Sequence, residues 1–138
     1  MRCLTLLLFA ATCFAQTPDQ SIRKVLDDQV AAWNRGDIEA FMTGYDNSPK
    51  TAFIGSSVQH GWENVRTNYH TRYPTTEKMG KLDFTILEVN LLNADYANVV
   101  GKFHLARTQQ GGGDASGVFT LLFRKTPQGW RIIQDHTS

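Results

Sequence analysis

The C-terminal stretch from Gly117 to Ser138, GVFTLLFRKTPQGWRIIQDHTS, constrains the fold most because it has the pattern of two strands joined by a tight turn. Residues 118–124 are β-branched, aromatic or aliphatic with no breaker, which is typical of a half-buried strand. Pro127 presets φ, and Gly129 can adopt the left-handed conformation that closes a type I turn with a bulge. Alternation divides the first strand between two faces, with Phe119, Leu121 and Phe123 on one and Thr120, Leu122 and Arg124 on the other. Both faces carry apolar residues, so we expect helices on one side and a partner or further protein on the other.

The N-terminal segment predicts export. Arg2 provides a short basic start, and residues 4–11 form an apolar run too short to span a bilayer. Cys13-Phe14-Ala15 before Gln16 fits a cleavage site of the small-x-small type, so we expect residues 1–15 to be a secretory signal peptide cleaved after Ala15. A lipoprotein signal at Cys13 is disfavoured because Thr12 stands where a smaller residue is normally required. The prediction is a secreted or periplasmic protein with one domain, residues 16–138.

Removal of residues 1–15 changes what the composition allows. Both cysteines, Cys3 and Cys13, leave with it, so no thiol remains for a disulfide, a metal site or a nucleophile. Arg2 is the only charged residue lost, so the formal charge falls from +1 to zero. Without a basic stripe we expect no nucleic-acid partner, and we expect no membrane association after cleavage. The four histidines have no metal-binding spacing, and no cofactor motif is present, so we expect neither metal nor cofactor.

The region before residue 75 predicts three helices and a short hairpin. Thr17, Pro18 and Gln20 form a capping box with proline in the first helical position, and Gly36 ends this first helix. Asp37 caps a short second helix. Residues 51–60 fit a short hairpin, and a third helix runs from residue 62 to about residue 73. Helical spacing places one apolar stripe on each helix: Ile22, Val25, Leu26, Val30 and Trp33; Ile38, Phe41, Met42 and Tyr45; Trp62, Val65, Tyr69 and Tyr73.

Two long strands precede the C-terminal hairpin. Strict alternation over residues 82–92 puts Leu82, Phe84, Ile86 and Glu88 on one face and Asp83, Thr85, Leu87 and Val89 on the other. Residues 97–107 follow, with Val99, Phe103 and Leu105 facing one way and Lys102 and His104 the other. The element order predicts an α+β fold, a strongly curved antiparallel sheet with three N-terminal helices packed on its concave face. The mouth of such a cone cannot close fully, so an apolar cavity should remain, and such cavities are the default ligand sites.

The residues with chemical potential leave alternatives open. Asp135 and His136 are adjacent on a strand and point to opposite faces unless a bulge intervenes. One interpretation makes one of them an acid or base in the pocket; the other has Asp135 bridging nearby backbone and His136 in a subunit contact. Tyr45 and Tyr69 could each aim a hydroxyl into the cavity, or simply pack with the hydroxyl at its rim.

The chain resembles the NTF2-like superfamily and, within it, the SnoaL-like (DUF4440-type) branch. The matching segments are Trp33 to Asp37, Gly61 to Val65, Tyr73-Pro74, Met79 to Leu82, Gly117 to Phe123, Gly129-Trp130 and Asp135 to Ser138. The resemblance implies a cone-shaped fold, commonly a dimer formed through the sheet, and Trp33, Tyr45, Trp62 and Asp135 near the cavity. Relatives include isomerases, cyclases, dehydratases and an assembly domain, so fold analogy does not decide the chemistry.

The sequence therefore predicts an exported homodimer, joined through the outer face of the sheet, whose cone binds a small and largely apolar molecule. The expected ligand-binding residues are Trp33, Tyr45, Trp62, Tyr69, Phe103 and Asp135. One alternative is an isomerase, cyclase or dehydratase in which Asp135 moves a proton and Tyr45 stabilises the oxyanion. Another is a non-catalytic assembly domain with a filled cone. An open cavity with Asp135 at its base and a tyrosine hydroxyl in reach would favour the enzyme, and an open cavity without converging polar groups would favour a binder.

Overall fold

The structure is a computed structural model that describes residues 14–138, so most of the predicted signal peptide, including both cysteines, lies outside the described residues. The elements in chain order are α1 (Pro18–Asn34), α2 (Ile38–Met42), β1 (Ala52–Ile54), β2 (Val58–His60), α3 (Trp62–Arg72), α4 (Thr76–Met79), β3 (Lys81–Leu91), β4 (Tyr96–Ala106), β5 (Ala115–Thr126) and β6 (Gly129–Thr137). In the described part of the chain, no helix is both long and apolar enough to cross a membrane.

Six strands form one curved, open sheet in the order β2-β1-β6-β5-β4-β3. The C-terminal hairpin, β5 and β6, occupies the middle of the sheet, as its two-faced apolar pattern indicates. All neighbouring strands are antiparallel except β1, which runs parallel to β6. Helix α1 packs against β3 and β6, and α3 packs against β1 and β2. The predicted α+β architecture is confirmed.

The helix boundaries follow from the capping residues. The Thr17 hydroxyl accepts from the Gln20 N–H, and the Gln20 side chain accepts from the Thr17 N–H, which completes the capping box of α1. Gly36 follows α1 with a φ of 78°, and Asp37 accepts from the Ala40 N–H at 2.9 Å to begin α2. The short helix α4, capped by Thr75, was not predicted, because four residues carry no measurable periodicity.

The turn between β5 and β6 has the chemistry that the sequence indicates. Thr126 and Gly129 are paired across a two-residue loop that contains Pro127. Gly129 has a φ of 101°, which a residue with a side chain rarely adopts. The turn sets the register of the pair as far as Phe123, which lies opposite Ile132.

Two β-bulges interrupt the strict alternation of the long strands. In β3 the pairing shifts between Ile86 and Glu88, so Leu87 is the extra residue and is 51% exposed. As a result Val89 packs against the core on the same face as Ile86, and the prediction that placed it on the opposite face was wrong. In β6 the extra residue is Ile133, because Phe123 pairs with Ile132 and Leu122 with Gln134.

The core lies between the concave face of the sheet and the helices. Its buried members come from every layer: Ile22, Leu26, Trp33, Phe41, Met42, Val65, Val99, Phe119, Phe123 and Ile132. Aromatic rings meet edge to face within it, as when Trp33 contacts Phe41 at a centroid distance of 5.1 Å. Several of these core side chains, Trp33, Phe41, Phe119 and Ile132, also line an open space between the layers.

Candidate functional site

A cavity of about 310 Å³ lies between the concave face of the sheet and helices α1 and α3. Its walls are mostly apolar and come from β3, β4, β5 and β6: Leu82, Phe84, Phe103, Leu105, Phe119, Leu121 and Ile132. Helix α1 contributes Trp33, and α3 with its C-cap contributes Tyr69 and Tyr73. The volume is at the low end of the range for small-molecule sites, so the space suits a small ligand.

Asp135 places a carboxyl group in this apolar wall. It is 4% exposed, and it faces inward because the Ile133 bulge adds one residue after the inward-facing Ile132. Each carboxyl oxygen has a donor: Tyr45 donates to Oδ2 at 2.6 Å and Thr137 donates to Oδ1 at 2.6 Å. Burial raises the pKa of Asp135, and the hydrogen bonds from Thr137 and Tyr45 oppose that rise. His136, next in the chain, is exposed on the outer face.

Tyr45 and Tyr69 continue the chain of hydrogen bonds that begins at Asp135. The segment at Tyr45 lies along β6, where the Ile132 N–H donates to the Gly44 carbonyl and the Asp46 N–H donates to the Ile132 carbonyl, both at 2.9 Å. The Tyr45 and Tyr69 hydroxyl oxygens are 3.0 Å apart. Burial, followed by the nearby Asp135 charge, raises the pKa of both tyrosines well above the usual value. Both hydroxyls therefore stay protonated at neutral pH.

Asp135, Tyr45 and Tyr69 form a hydrogen-bond relay, and the protonation state of Asp135 decides the direction in which its hydroxyl groups donate. When Asp135 is ionised, Tyr45 gives its one proton to the carboxylate, so Tyr69 must donate to Tyr45. The Tyr69 oxygen then offers only lone pairs to the cavity. When Asp135 is protonated and donates to Tyr45, Tyr45 donates to Tyr69, and the Tyr69 proton is free to point at a ligand.

The structure brings four of the six expected ligand-binding residues into the cavity wall, namely Trp33, Tyr69, Phe103 and Asp135. Tyr45 lies outside that wall and reaches the site only through its hydrogen bond to Asp135, whereas Tyr69 lines the cavity itself. Trp62 is also outside the wall, and its indole N–H donates to the Met42 carbonyl at 3.0 Å. The Trp33 indole N–H donates to the Met79 carbonyl at 3.0 Å, so that ring offers the cavity only apolar surface.

Several lining residues were not anticipated from the sequence. Gln29 lies on the buried stripe of α1, between Leu26 and Trp33, and its side chain donates to the Phe41 carbonyl at 3.2 Å. Its position three residues after Leu26 could have indicated that it is buried on the apolar stripe, where a polar side chain needs a hydrogen-bond partner. Thr137 shares a face with Asp135 two residues away, which alternation alone would have indicated.

A second, polar compartment of about 140 Å³ adjoins the cavity mouth between β2 and α3. Phe53, Gly55, Ser56, Asn68 and Arg72 line both spaces, so the two compartments share a wall. Ser57 and Gln59 complete the polar compartment, and the buried side-chain oxygen of Gln59 has no hydrogen-bond partner among the described residues. The cavity therefore combines an apolar interior with one polar, cationic edge.

The SnoaL-like domain family matches this sequence over residues 22–138. The chain belongs to the SnoaL-like domain family. A solved structure with 37% sequence identity, an NTF-2 like protein of unknown function from Shewanella oneidensis MR-1, superposes with a TM-score of 0.83 and covers 88% of this chain and 99% of its own. The NTF2-like and SnoaL-like resemblance stated from the sequence is confirmed.

Two more distant solved structures share the fold alone. A ketosteroid isomerase-like protein from Erwinia carotovora atroseptica SCRI1043 has 21% identity and a TM-score of 0.66, covering 86% of this chain and 92% of its own. A protein from Xanthomonas campestris, named for the association domain of calcium/calmodulin-dependent protein kinase II, has 21% identity and a TM-score of 0.65, with 95% and 96% covered. None of the curated proteins compared with this sequence matches it. Proteins of this fold commonly bind small molecules or act as isomerases.

Proposed function

We propose that this protein binds a small, largely apolar molecule in the cone, beside Asp135 and Tyr69. The observation that carries the proposal is the open cavity of about 310 Å³, whose apolar walls surround a single buried carboxyl. A cone filled by its own side chains would have favoured the assembly alternative, whereas an open apolar space loses dispersion contacts until a ligand occupies it.

Binding is tested by native mass spectrometry of freshly purified protein, with Leu121→Trp as the cavity-filling variant. Leu121 is 4% exposed and lines the cavity opposite Asp135, so the larger ring occupies the ligand space. We expect a co-purified small molecule on the wild type and none on Leu121→Trp. Leu92→Trp, at a position 60% exposed outside the cavity, is the matched control and should keep the ligand. A wild-type protein that neither retains nor takes up any small apolar compound contradicts the proposal.

A second candidate function is acid–base catalysis, because the cavity brings a buried carboxyl and a tyrosine hydroxyl together. Each oxygen of an ionised Asp135 keeps lone pairs after accepting from Tyr45 or Thr137, so the carboxylate can still take a proton from a ligand. The raised pKa of Asp135 makes it a stronger base than an exposed aspartate. Once Asp135 holds the proton and turns its hydroxyl toward Tyr45, the relay reverses, and Tyr69 can donate to the oxygen that has gained charge.

This chemistry is tested with 1-indanone, a small enolisable ketone, by following deuterium exchange next to its carbonyl by NMR. The wild type should accelerate the exchange above the rate in buffer, and Asp135→Asn should not, because an amide is not a base at this position. Asp83→Asn, an exposed aspartate on β3, should exchange like the wild type. Equal rates for the wild type and Asp135→Asn would remove the catalytic candidate and leave the binding proposal intact.

We also propose that the protein is exported and forms a homodimer through the outer face of the sheet. The composition of residues 1–15 supports export, and the first residue of protein recovered from cells should be Gln16. The dimer is supported by relatives of this fold, which are often dimeric. It is also supported by exposed apolar residues on that face, of which Val118 is 51% exposed.

A further inference from the structure

Arg72 lies where the apolar cavity meets the polar compartment. It lies at the C-terminal end of α3 and lines both the cavity and the polar compartment beside it. It is the one cationic side chain among the described residues that line the cavity. Its positive charge also reaches the Tyr69 hydroxyl in the cavity wall. It lowers the pKa of that hydroxyl, although burial raises it by more.

Arg72 also has no carboxylate partner. Its neighbour on the same helix, Arg66, pairs with Glu39 at 2.8 Å, and Arg124 pairs with Asp46 at 2.8 Å. Among residues 14–138, no carboxylate lies within 4.0 Å of the Arg72 guanidinium, and its one close aromatic contact is the Tyr73 ring at 5.7 Å. An unengaged guanidinium presents planar donors that match a carboxylate or a similar anion.

The rest of the polar compartment can also bind such a group. Ser56, Ser57 and Asn68 bring hydroxyl and amide donors to the space that Arg72 lines. The compartment's volume of about 140 Å³ accommodates a head group but not a whole ligand.

We propose that the ligand is an amphipathic anion, with an apolar body in the cone and a carboxylate at the mouth against Arg72. Resting on the binding function proposed above, this inference adds the chemical class and the orientation of the ligand. The opposite orientation would bring the carboxylate to Asp135, where two like charges would meet in an apolar wall. The apolar body therefore points inward and the carboxylate outward.

The test compares 2-naphthoate with 2-naphthamide, two probes of similar shape that differ in charge, by titration calorimetry on the mature protein. We expect the wild type to bind naphthoate about fivefold more tightly, the upper range for a partly exposed ion pair. Arg72→Gln should abolish this preference, so that the two probes bind with equal affinity. Arg72→Lys should keep part of the preference for naphthoate, and added salt should reduce the preference shown by the wild type. Arg66→Gln, which removes a cation from the same helix outside the cavity, is the matched control and should bind like the wild type.

The outcomes separate this inference from the function it rests on. If naphthamide binds and naphthoate binds no more tightly, or if Arg72→Gln keeps the preference, the anionic class is wrong while the cone remains a binding site. If neither probe binds, the inference of an amphipathic anion is contradicted, while the binding function is decided by the mass-spectrometry experiment above. Leu121→Trp must weaken both probes, because retained affinity would mean that they bind outside the cone.

Discussion

At the scale of single residues, Asp135 is the least favourably placed charged group that the structure describes. Its carboxyl is buried in an apolar wall with two hydroxyl donors and no cation bonded to it. Removing a carboxylate from water favours its protonated form, and the two hydrogen bonds recover only part of the lost hydration. A residue with this cost that also faces an open cavity is a strong candidate for function.

The burial of Asp135 predicts a pH dependence of stability. Its pKa is raised in the folded protein, so between its unfolded value, about 4, and the raised value the folded chain holds a proton that the unfolded chain has lost. The free energy of unfolding from this group therefore falls as pH rises through that window. In Asp135→Asn this fall should be absent, as measured by urea unfolding between pH 4 and pH 8.

The control for that measurement is Asp83→Asn, which changes an exposed aspartate. Glu39 and Asp114 have lowered pKa values and contribute stability that is lost as pH falls, but they are present in every variant and cancel in the difference. Parallel pH profiles for the wild type and Asp135→Asn would show that the folded carboxyl titrates normally.

At the scale of elements, the end of α1 is fastened to the free edge of the sheet. The Asn34 side chain donates to the Leu82 carbonyl at 3.0 Å and accepts from the Leu82 N–H at 2.7 Å. This pair of bonds imitates a ladder rung on β3, the strand at one edge of the sheet, and covers backbone groups that could otherwise join another strand. It also fixes α1, and with it Trp33, over the cavity.

Asn34→Ala should therefore lower the free energy of unfolding by about 1–2 kcal/mol, the net value of two neutral hydrogen bonds. The measurement is urea unfolding at neutral pH. Asn90→Ala removes an exposed asparagine of the same strand that bonds only Glu88, and it should change stability by less than about 0.5 kcal/mol. Equal losses in the two variants would mean that the Asn34 contacts do not stabilise the docking of α1.

At the scale of the whole molecule, the outer face of the sheet has no covering layer among the described residues. Lys102 pairs with Val118, and Thr120 with Val100 and His136, so the middle of this face mixes polar and apolar side chains. Such a face is compatible with an interface between two copies, in which apolar residues are buried and polar residues pair. It is separate from the cavity, which opens on the other side of the sheet.

The dimer proposal predicts a two-chain species in sedimentation experiments on the mature protein at micromolar concentration. Val118→Glu should shift it toward single chains, because burying an unpaired carboxylate in the interface costs several kcal/mol. Gln128→Glu adds the same charge at the exposed hairpin turn and should leave the dimer intact. A wild type that sediments as single chains at this concentration contradicts the dimer.

The elements were predictable where the signal is local. The Thr17 capping box, Gly36 after α1 and the Pro127 to Gly129 turn each depend on neighbouring residues, so they could be recognised without the fold. The parallel pairing of β1 with β6 joins residues about eighty positions apart and has no local signal. The polar compartment around Arg72 forms where the β1-β2 hairpin packs against α3, and that contact also has no local signal.

By itself the sequence determined the α+β architecture, the helix caps and the central position of the C-terminal hairpin, because these depend on side-chain pattern and local backbone preference. It did not determine which of Asp135 and His136 would enter the cavity. Continued alternation from the buried Ile132 would have turned His136 inward, but the extra residue Ile133 reverses the phase and turns Asp135 inward instead. Only the tertiary structure decided this, because a bulge arises where a curved strand keeps its register with a neighbour, and curvature is a property of the whole sheet.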